Sequence, residues 1–209
     1  MILCFTGTQG SGKTTLAQAV ADKTGLPFYP SRASEIHQAF GVTGGAKVPL
    51  ALRVRIQQAI LSAWSDDYAL AQGTGGVFDR CPVDFAAYML ADVQRDGSMM
   101  DTVIQDYVWT CQAVSARIKH LLMVKPLGIK LENRGPDKAG DGAFAIQVQM
   151  LIRGLLGELG RPFLVIDPGS LDRRVTKVSR YMSQVFEDAA VATTIEGSHY
   201  DGPEVQALH

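Results

Sequence analysis

Short apolar runs alternate with longer stretches in which apolar residues recur at helical spacing. The runs are brief and almost wholly apolar, as strands buried on both faces of a sheet are, and they cover residues 1–6, 26–29, 76–79, 120–124 and 162–166. Helices are predicted between and after them, over about 14–24, from Ser31 or Ser34 as the cap to Phe40, and over 48–71, 82–90, 99–118, 148–156 and 171–186. This alternation predicts an α/β fold in which a five-stranded parallel sheet lies between two helical layers, a three-layer αβα arrangement.

Composition narrows the class of protein. The chain has 209 residues, of which 46% are hydrophobic and 20% charged, and its formal charge is -1. This excludes a disordered chain and argues against a generally basic nucleic-acid coat protein. No apolar run is long enough to span a bilayer, and the N-terminus lacks the basic segment of a signal peptide. Three cysteines without metal-type spacing fit a reducing compartment, so we expect a cytoplasmic protein without a membrane partner.

A glycine-rich segment follows the first predicted strand. Residues 7–14, GTQGSGKT, match the pattern G-x-x-x-x-G-K-[ST] at every fixed position and open a predicted helix. Glycines let such a loop wrap a polyphosphate with its backbone N–H groups, while the lysine neutralises phosphate charge and the hydroxyl binds Mg²⁺. The loop therefore predicts a site for ATP and Mg²⁺. The expected nucleotide-binding residues are Gly7, Gly10, Ser11, Gly12, Lys13, Thr14 and Thr15, and Thr14 is an expected metal ligand.

A second candidate element is the end of the third predicted strand. There, Asp79 is followed by Arg80. Since working sites in parallel sheets lie at the carboxyl ends of strands, we expect both residues beside the glycine-rich loop. The Asp79 carboxylate can organise Mg²⁺ or accept a proton from an acceptor hydroxyl, and Arg80 can hold an anionic group. A structural ion pair at the strand end is the alternative.

Together, GTQGSGKTT and FDRCPVDFAAYML resemble the P-loop kinases of nucleosides and nucleotides, over roughly residues 1–188. Residues 79–88 are similar to the DR…AY signature of thymidylate and deoxynucleoside kinases. The opening also resembles the kinases of ribosyl nicotinamide and small phage kinases that act on nucleotides or DNA bases. The resemblance implies that Lys13, Asp79 and Arg80 act in catalysis and that Arg80 also contacts substrate. After the second strand, Tyr29-Pro30-Ser31-Arg32 stands where thymidylate kinases carry an acidic-Pro-Gly segment.

The resemblance also implies a lid over residues 125–142, KPLGIKLENRGPDKAGDG, that closes on the phosphates and excludes water. Its candidate cations are Lys130, Arg134 and Lys138, with Arg134 taken as the catalytic one and Arg153 as a supporting clamp. An ordinary charged surface loop is the alternative. The kinase domain would then comprise residues 1–188, followed by a polar tail over 189–209.

Other polar residues are candidates for binding the acceptor. Arg53 and Gln57 share one helix face, which borders the acceptor site in the resembled kinases, and Arg32 follows the second strand. The alternative, which the pattern favours, is that Arg53 and Gln57 lie on a solvated helix face. Arg173, Arg174, Lys177 and Arg180 form a basic face of the last predicted helix. This face indicates ordinary solubility, or attraction to a nucleic-acid backbone.

Two functions remain. The first is a kinase that transfers the γ-phosphoryl group of ATP to a nucleoside, a nucleotide or a hydroxymethylated pyrimidine such as 5-hydroxymethyluracil in phage DNA, with the host cytoplasm as its location if the gene is a phage's. The second is an ATPase or GTPase that works as a switch or motor. Such hydrolases usually carry a second glutamate after the strand-end acid, where this chain has Arg80, and GTPases carry a base-reading Asn-Lys-x-Asp segment. The sequence itself specifies neither the acceptor nor the oligomeric state.

Overall fold

The computed structural model describes residues 1–42, 48–95, 102–126 and 142–197, without the side chains of residues 94–95 and 189–197. Within these ranges strands and helices alternate, in the order β1 (Ile2–Thr6), α1 (Lys13–Thr24), β2 (Phe28–Tyr29), α2 (Ala33–Ala39), α3 (Leu50–Thr74), β3 (Gly76–Asp79), α4 (Pro82–Arg95), α5 (Thr102–Ser115), β4 (His120–Val124), α6 (Gly142–Glu158), β5 (Leu164–Ile166) and α7 (Leu171–Gly197).

The five strands form one sheet in the order β2-β3-β1-β4-β5, and every neighbouring pair is parallel. This confirms the predicted α/β fold. The central strand β1 pairs with β3 so that Phe5 lies opposite Asp79. The ends of these two strands therefore meet at one edge of the sheet, which brings the glycine-rich loop beside Asp79 and Arg80.

Both faces of the sheet are covered. On β1, Leu3 and Phe5 point into one core, formed with residues of α1 and α7, while Cys4 points into the other. The second core is larger and contains residues of α3, α4, α5 and α6. Because helices cover both faces of the sheet, almost every residue of a strand is apolar. The short apolar runs in the sequence therefore located the strands correctly.

The ends of some elements differ from the sequence prediction. Arg32, not a serine, occupies the N-cap position of α2, but the hydroxyl of the preceding Ser31 accepts the N–H of Ala33, the first residue of the helix, over 3.5 Å. The last helix continues beyond Phe186 to Gly197 and thus enters the stretch predicted as a tail. The added segment, EDAAVATTIEG, holds no proline and no glycine before its end, so nothing in it breaks the helix. None of the helices in the described ranges is both long and apolar enough to cross a membrane.

Candidate nucleotide site

The glycine-rich loop joins β1 to α1 in a conformation that requires its glycines. Gly7, Gly10 and Gly12 have φ angles of 150°, 78° and 75°, which side chains rarely allow, and Gly12 is the left-handed N-cap of α1. A Cβ atom on Gly7 would lie 2.5 Å from the carbonyl oxygen of Val124 on the neighbouring strand. The start of the loop therefore packs against the edge of the sheet, where a side chain at position 7 would have no room.

The second half of the loop presents hydrogen-bond donors without partners. Within the described residues, the backbone N–H groups of Gly10, Gly12, Lys13 and Thr14 form no hydrogen bond. The Ser11 hydroxyl is buried and also lacks a partner. These donors surround the N-terminus of α1, where the helix dipole attracts anions. The geometry is that of an anion cradle and fits the phosphates of a nucleotide.

Lys13 lies inside this cradle with only 4% of its surface exposed. Its ammonium group donates to the Thr8 carbonyl oxygen over 3.3 Å. Burial and, to a smaller extent, the charge of Arg80 lower the pKa of Lys13 to about 8, although Asp84 and Asp79 act in the opposite direction. The cation therefore lacks a full counter-charge in this state, and a bound phosphate would supply it.

Thr14 and Asp79 are joined by a hydrogen bond. The Thr14 hydroxyl donates to one Asp79 oxygen over 2.7 Å, and the other oxygen, Oδ1, is buried without a partner. A buried carboxylate oxygen without a donor is costly unless a cation occupies the site. Mg²⁺ prefers such oxygen ligands, so the pair predicted as metal ligands fits a magnesium ion beside the phosphates.

Arg80 occupies an unusual backbone conformation, with a φ angle of 88°. Three groups hold it there. Its N–H donates to the Phe5 carbonyl oxygen, its own carbonyl oxygen accepts from the Trp64 indole over 3.1 Å, and its guanidinium lies 5.1 Å from the centre of the Tyr88 ring. The guanidinium nitrogen Nη1 lies 4.0 Å from the Asp84 oxygen that also accepts the Gly7 N–H, so Arg80 lies close to the start of the phosphate loop.

Asp84, in the first turn of α4, was missed by the sequence analysis. Its carboxylate is fully buried and accepts the backbone N–H groups of Gly7 and Cys81, each over 3.1 Å. Burial raises the pKa of Asp84, whereas the charges of Lys13 and Arg80 lower it. The only sequence signal is its spacing of four residues from Arg80, whose guanidinium is 4.0 Å away.

Three more contacts to the loop come from distant positions. Tyr88 on α4 accepts the Gln9 N–H over 2.9 Å, and Gln149 on α6 accepts the Thr8 N–H over 3.3 Å. From α7, Arg174 donates to the Ser11 carbonyl oxygen over 2.9 Å. Arg174 is only 4% exposed, so assigning it to a solvated basic face was wrong: the helix turns this arginine inward while Arg173 stays exposed.

Arg53 and Gln57 lie on α3, on the N-terminal side of Trp64. Trp64 contacts Arg80. With a helical rise of about 1.5 Å per residue, Gln57 lies about 10 Å and Arg53 about 16 Å from Trp64, toward the N-terminus of the helix. Both are buried, with Arg53 6% and Gln57 7% exposed, so a solvated face is excluded. Tyr107 donates to the Gln57 backbone and side-chain oxygens, and Arg53 lies 3.9 Å from Asp92.

The remaining predicted residues are less closely tied to the cradle. Arg32 is 41% exposed and pairs with Glu35 and Asp67, at 3.5 and 4.0 Å. Thr15 lies exposed on the first turn of α1, and Arg153 is exposed on α6. Arg134, Lys130 and Lys138, and with them most of the predicted lid, lie outside the described residues.

Comparisons with known proteins agree with this geometry. A family model described as an AAA domain matches residues 2–174. No curated protein sequence matches significantly. Deoxyadenosine kinase from M. mycoides, solved with dCMP and dCDP, has a TM-score of 0.65 at 14% identity, over 88% of this chain and all of the other. The dATP complex of that kinase covers the same share at 14% identity, with a TM-score of 0.65 and 99% of its own chain matched.

The NadR protein in complex with NAD and AMP-PNP is also similar in structure. Its TM-score is 0.61 at 16% identity, and the match covers 100% of this chain but 51% of that chain. At these identities the likeness concerns the fold alone. The family model covers most of the chain, which therefore belongs to the AAA-domain family.

Proposed function

We propose that this protein is a kinase that transfers the γ-phosphoryl group of ATP to a nucleoside or nucleotide. The observation that carries the proposal is the junction between two elements, joined by the 2.7 Å bond from Thr14 to Asp79: the N–H groups of Gly10, Gly12, Lys13 and Thr14, which are unpartnered within the described residues, and the Asp79–Arg80 turn. The first element is suited to a nucleotide's phosphates. In the proposal, the second presents an acid and an arginine to a second substrate.

In this proposal each residue acts through charge and position. The N–H groups of residues 10–14 and the Lys13 ammonium bind the phosphates of ATP, and Arg80 faces the transferred group or the acceptor. Thr14 and Asp79 would hold Mg²⁺, which neutralises charge on the phosphates when bound. Because one Asp79 oxygen already accepts from Thr14, the geometry favours a metal-organising role for Asp79 over that of a general base. Arg134 remains a predicted lid cation.

The acceptor site would lie beyond the ends of β2 and β3, between Arg32 and the N-terminal half of α3. Gln57 and Arg53 are built into this wall, where Gln57 accepts from the Tyr107 hydroxyl and Arg53 forms an ion pair with Asp92. The similar structures are of a deoxynucleoside kinase and of a protein solved with NAD. They support a nucleoside-type acceptor, whether a deoxynucleoside or a pyridine nucleoside. A hydroxymethylated base in DNA remains a sequence-based proposal without support from these structures.

A transfer assay tests the proposal. Labelled γ-phosphate from Mg·ATP would be followed into deoxynucleosides, nucleoside monophosphates, ribosyl nicotinamide, and DNA with or without 5-hydroxymethyluracil. We expect label on one nucleoside-type acceptor, lost in Lys13→Ala and Asp79→Asn and retained in Lys23→Ala, which removes an exposed lysine at the other end of α1. Release of free phosphate without any labelled acceptor would contradict a kinase and favour the hydrolytic alternative, with which the AAA-domain match also agrees.

A further inference from the structure

The first three N–H groups of the glycine-rich loop are each held by a side chain. Gly7 donates to Asp84, Thr8 to Gln149 and Gln9 to Tyr88. The later N–H groups have no partner in the described part of the chain, and only Ser11 turns back to the Thr8 carbonyl oxygen. The loop is thus divided into a half fixed by α4 and α6 and a half open to phosphate.

Among these three contacts, the one from Asp84 also reaches the acceptor side of the site. One carboxylate oxygen accepts from Gly7, and the other accepts the N–H of Cys81 over 3.1 Å and lies 3.6 Å from its thiol. Cys81 directly follows Arg80, whose backbone has the strained φ angle. One buried carboxylate therefore joins the start of the phosphate loop to the turn that carries Asp79 and Arg80.

A carboxylate suits this position because each of the groups that hydrogen-bonds to Asp84 is a donor. An ionised aspartate accepts at both oxygens, whereas an asparagine of the same shape would set its NH₂ group against one of the two backbone N–H groups. Burying a charged carboxylate is costly unless such donors and nearby cations stabilise it, and here Lys13 and Arg80 contribute. Apolar packing alone would not require an acid at this position.

We propose that Asp84 is a positioning residue: by holding Gly7 and Cys81 at once, its carboxylate keeps the phosphate loop and Arg80 in one relative position during phosphoryl transfer. The inference rests on the proposed function, because transfer depends on the alignment of donor and acceptor. A misplacement of about 1 Å can lower a rate about 100-fold without removing any group that touches substrate.

The test is Asp84→Asn, with Asp22→Asn as the matched control, since Asp22 is an exposed aspartate on α1. For each variant one would measure the thermal midpoint, the Kd for Mg·ATP and the single-turnover transfer rate at saturating ATP. For Asp84→Asn we expect a folded protein, a Kd within about threefold of the unsubstituted value and a rate about 10- to 100-fold lower. A rate within threefold of the unsubstituted protein, or a loss matched by an equal loss of ATP affinity, would overturn the proposal.

A second measurement needs no variant and covers the case in which Asp84→Asn does not fold. Hydrogen exchange of the Gly7 and Cys81 amides would be followed with and without AMP-PNP. Both amides should exchange slowly in both states, and free exchange of either in either state contradicts the role of Asp84. If the unsubstituted protein labels no acceptor, the proposed function fails, but the role of Asp84 can still be tested. The rate of phosphate release from Mg·ATP is then compared between Asp84→Asn and the unsubstituted protein, and the same roughly 10- to 100-fold lower rate is expected of the variant.

Discussion

At the scale of single residues, the strained backbone of Arg80 has an identifiable support. A positive φ angle at a residue with a side chain costs of order 1–3 kcal/mol and persists only where neighbours enforce it. Trp64 provides one such neighbour through the indole N–H that donates to the Arg80 carbonyl oxygen. It also stacks on Tyr68 at a centroid distance of 4.8 Å and contacts Phe78 at 5.5 Å.

We therefore expect Trp64→Phe to lower the free energy of unfolding by about 2–3 kcal/mol, because it leaves a carbonyl oxygen without its donor and opens a cavity in the core. It should also reduce phosphoryl transfer. Trp109→Phe is the matched control, since Trp109 is 70% exposed on α5. Urea unfolding followed by circular dichroism measures both variants, and equal stabilities for the two would show that the Trp64 hydrogen bond does not matter.

At the scale of elements, α7 is attached to the phosphate loop by Arg174. The guanidinium of this buried residue donates to the Ser11 carbonyl oxygen, and its helix packs against α1 in the smaller core. The contact orients the peptide between Ser11 and Gly12, which lies among the donors available to phosphate. The position of α7 thereby affects a loop far away in sequence.

Arg174→Met should weaken the binding of AMP-PNP about tenfold, which corresponds to about 1.4 kcal/mol and to the loss of one hydrogen bond from a charged donor. The neighbouring Arg173→Met removes an exposed arginine from the same helix and should leave the affinity unchanged. Isothermal titration calorimetry compares the two. If both variants lost affinity equally, a general effect of positive charge would replace the specific contact.

A second connection between elements links the end of β4 to α7 at the protein surface. Asp167 accepts from Lys125 over 2.8 Å and from Lys177 over 3.0 Å. Hydrogen bonds from Lys125 and then Lys177 lower the pKa of Asp167 from 3.8 to about 2. As the pH falls, the unfolded chain takes up this proton before the folded one, so the stabilisation is present above about pH 4 and is lost between about pH 4 and pH 2.

Asp167→Asn should accordingly be less stable than the unsubstituted protein at pH 6, by the small amount expected of an exposed ion pair, and the difference should shrink as the pH falls toward 2. Unfolding by urea at pH 6, 4 and 2.5 measures this, with Asp22→Asn as the control. A difference in stability that stays constant over this range would assign the effect to something other than the Asp167 charge.

At the scale of the whole molecule, the larger of the two cores encloses all three thiols. Cys4, Cys81 and Cys111 are free and have no exposed surface. Burial raises the pKa of all three, and that of Cys111 reaches about 12. Since the thiolate is the reactive form, a folded protein of this kind should resist alkylation.

Iodoacetamide at pH 8 should therefore leave the folded protein unmodified, whereas all three cysteines should react in guanidinium chloride. Mass spectrometry of the intact protein counts the added groups. Modification of any cysteine under native conditions, before unfolding occurs, would show that the cores open more readily than their packing indicates.

The sequence by itself determined the features that depend on residues close to one another along the chain. The alternation of apolar runs located the strands because both faces of a parallel sheet are buried, and the spacing of Gly7, Gly12, Lys13 and Thr14 specified the loop because successive backbone N–H groups form the cradle. The parallel order of β1 and β3 then placed Asp79 beside Thr14, as expected from the strand ends.

Tertiary structure alone decided which distant side chains complete the site. Asp84, Tyr88, Gln149 and Arg174 contact the loop from positions 77, 79, 141 and 163 residues away, and no local spacing encodes such contacts. For a helix, periodicity shows which residues share a face, but neighbouring elements determine whether that face is covered. Gln57, for which the sequence indicates either acceptor binding or a solvated face, is buried because Tyr107 of α5 packs and hydrogen-bonds against it.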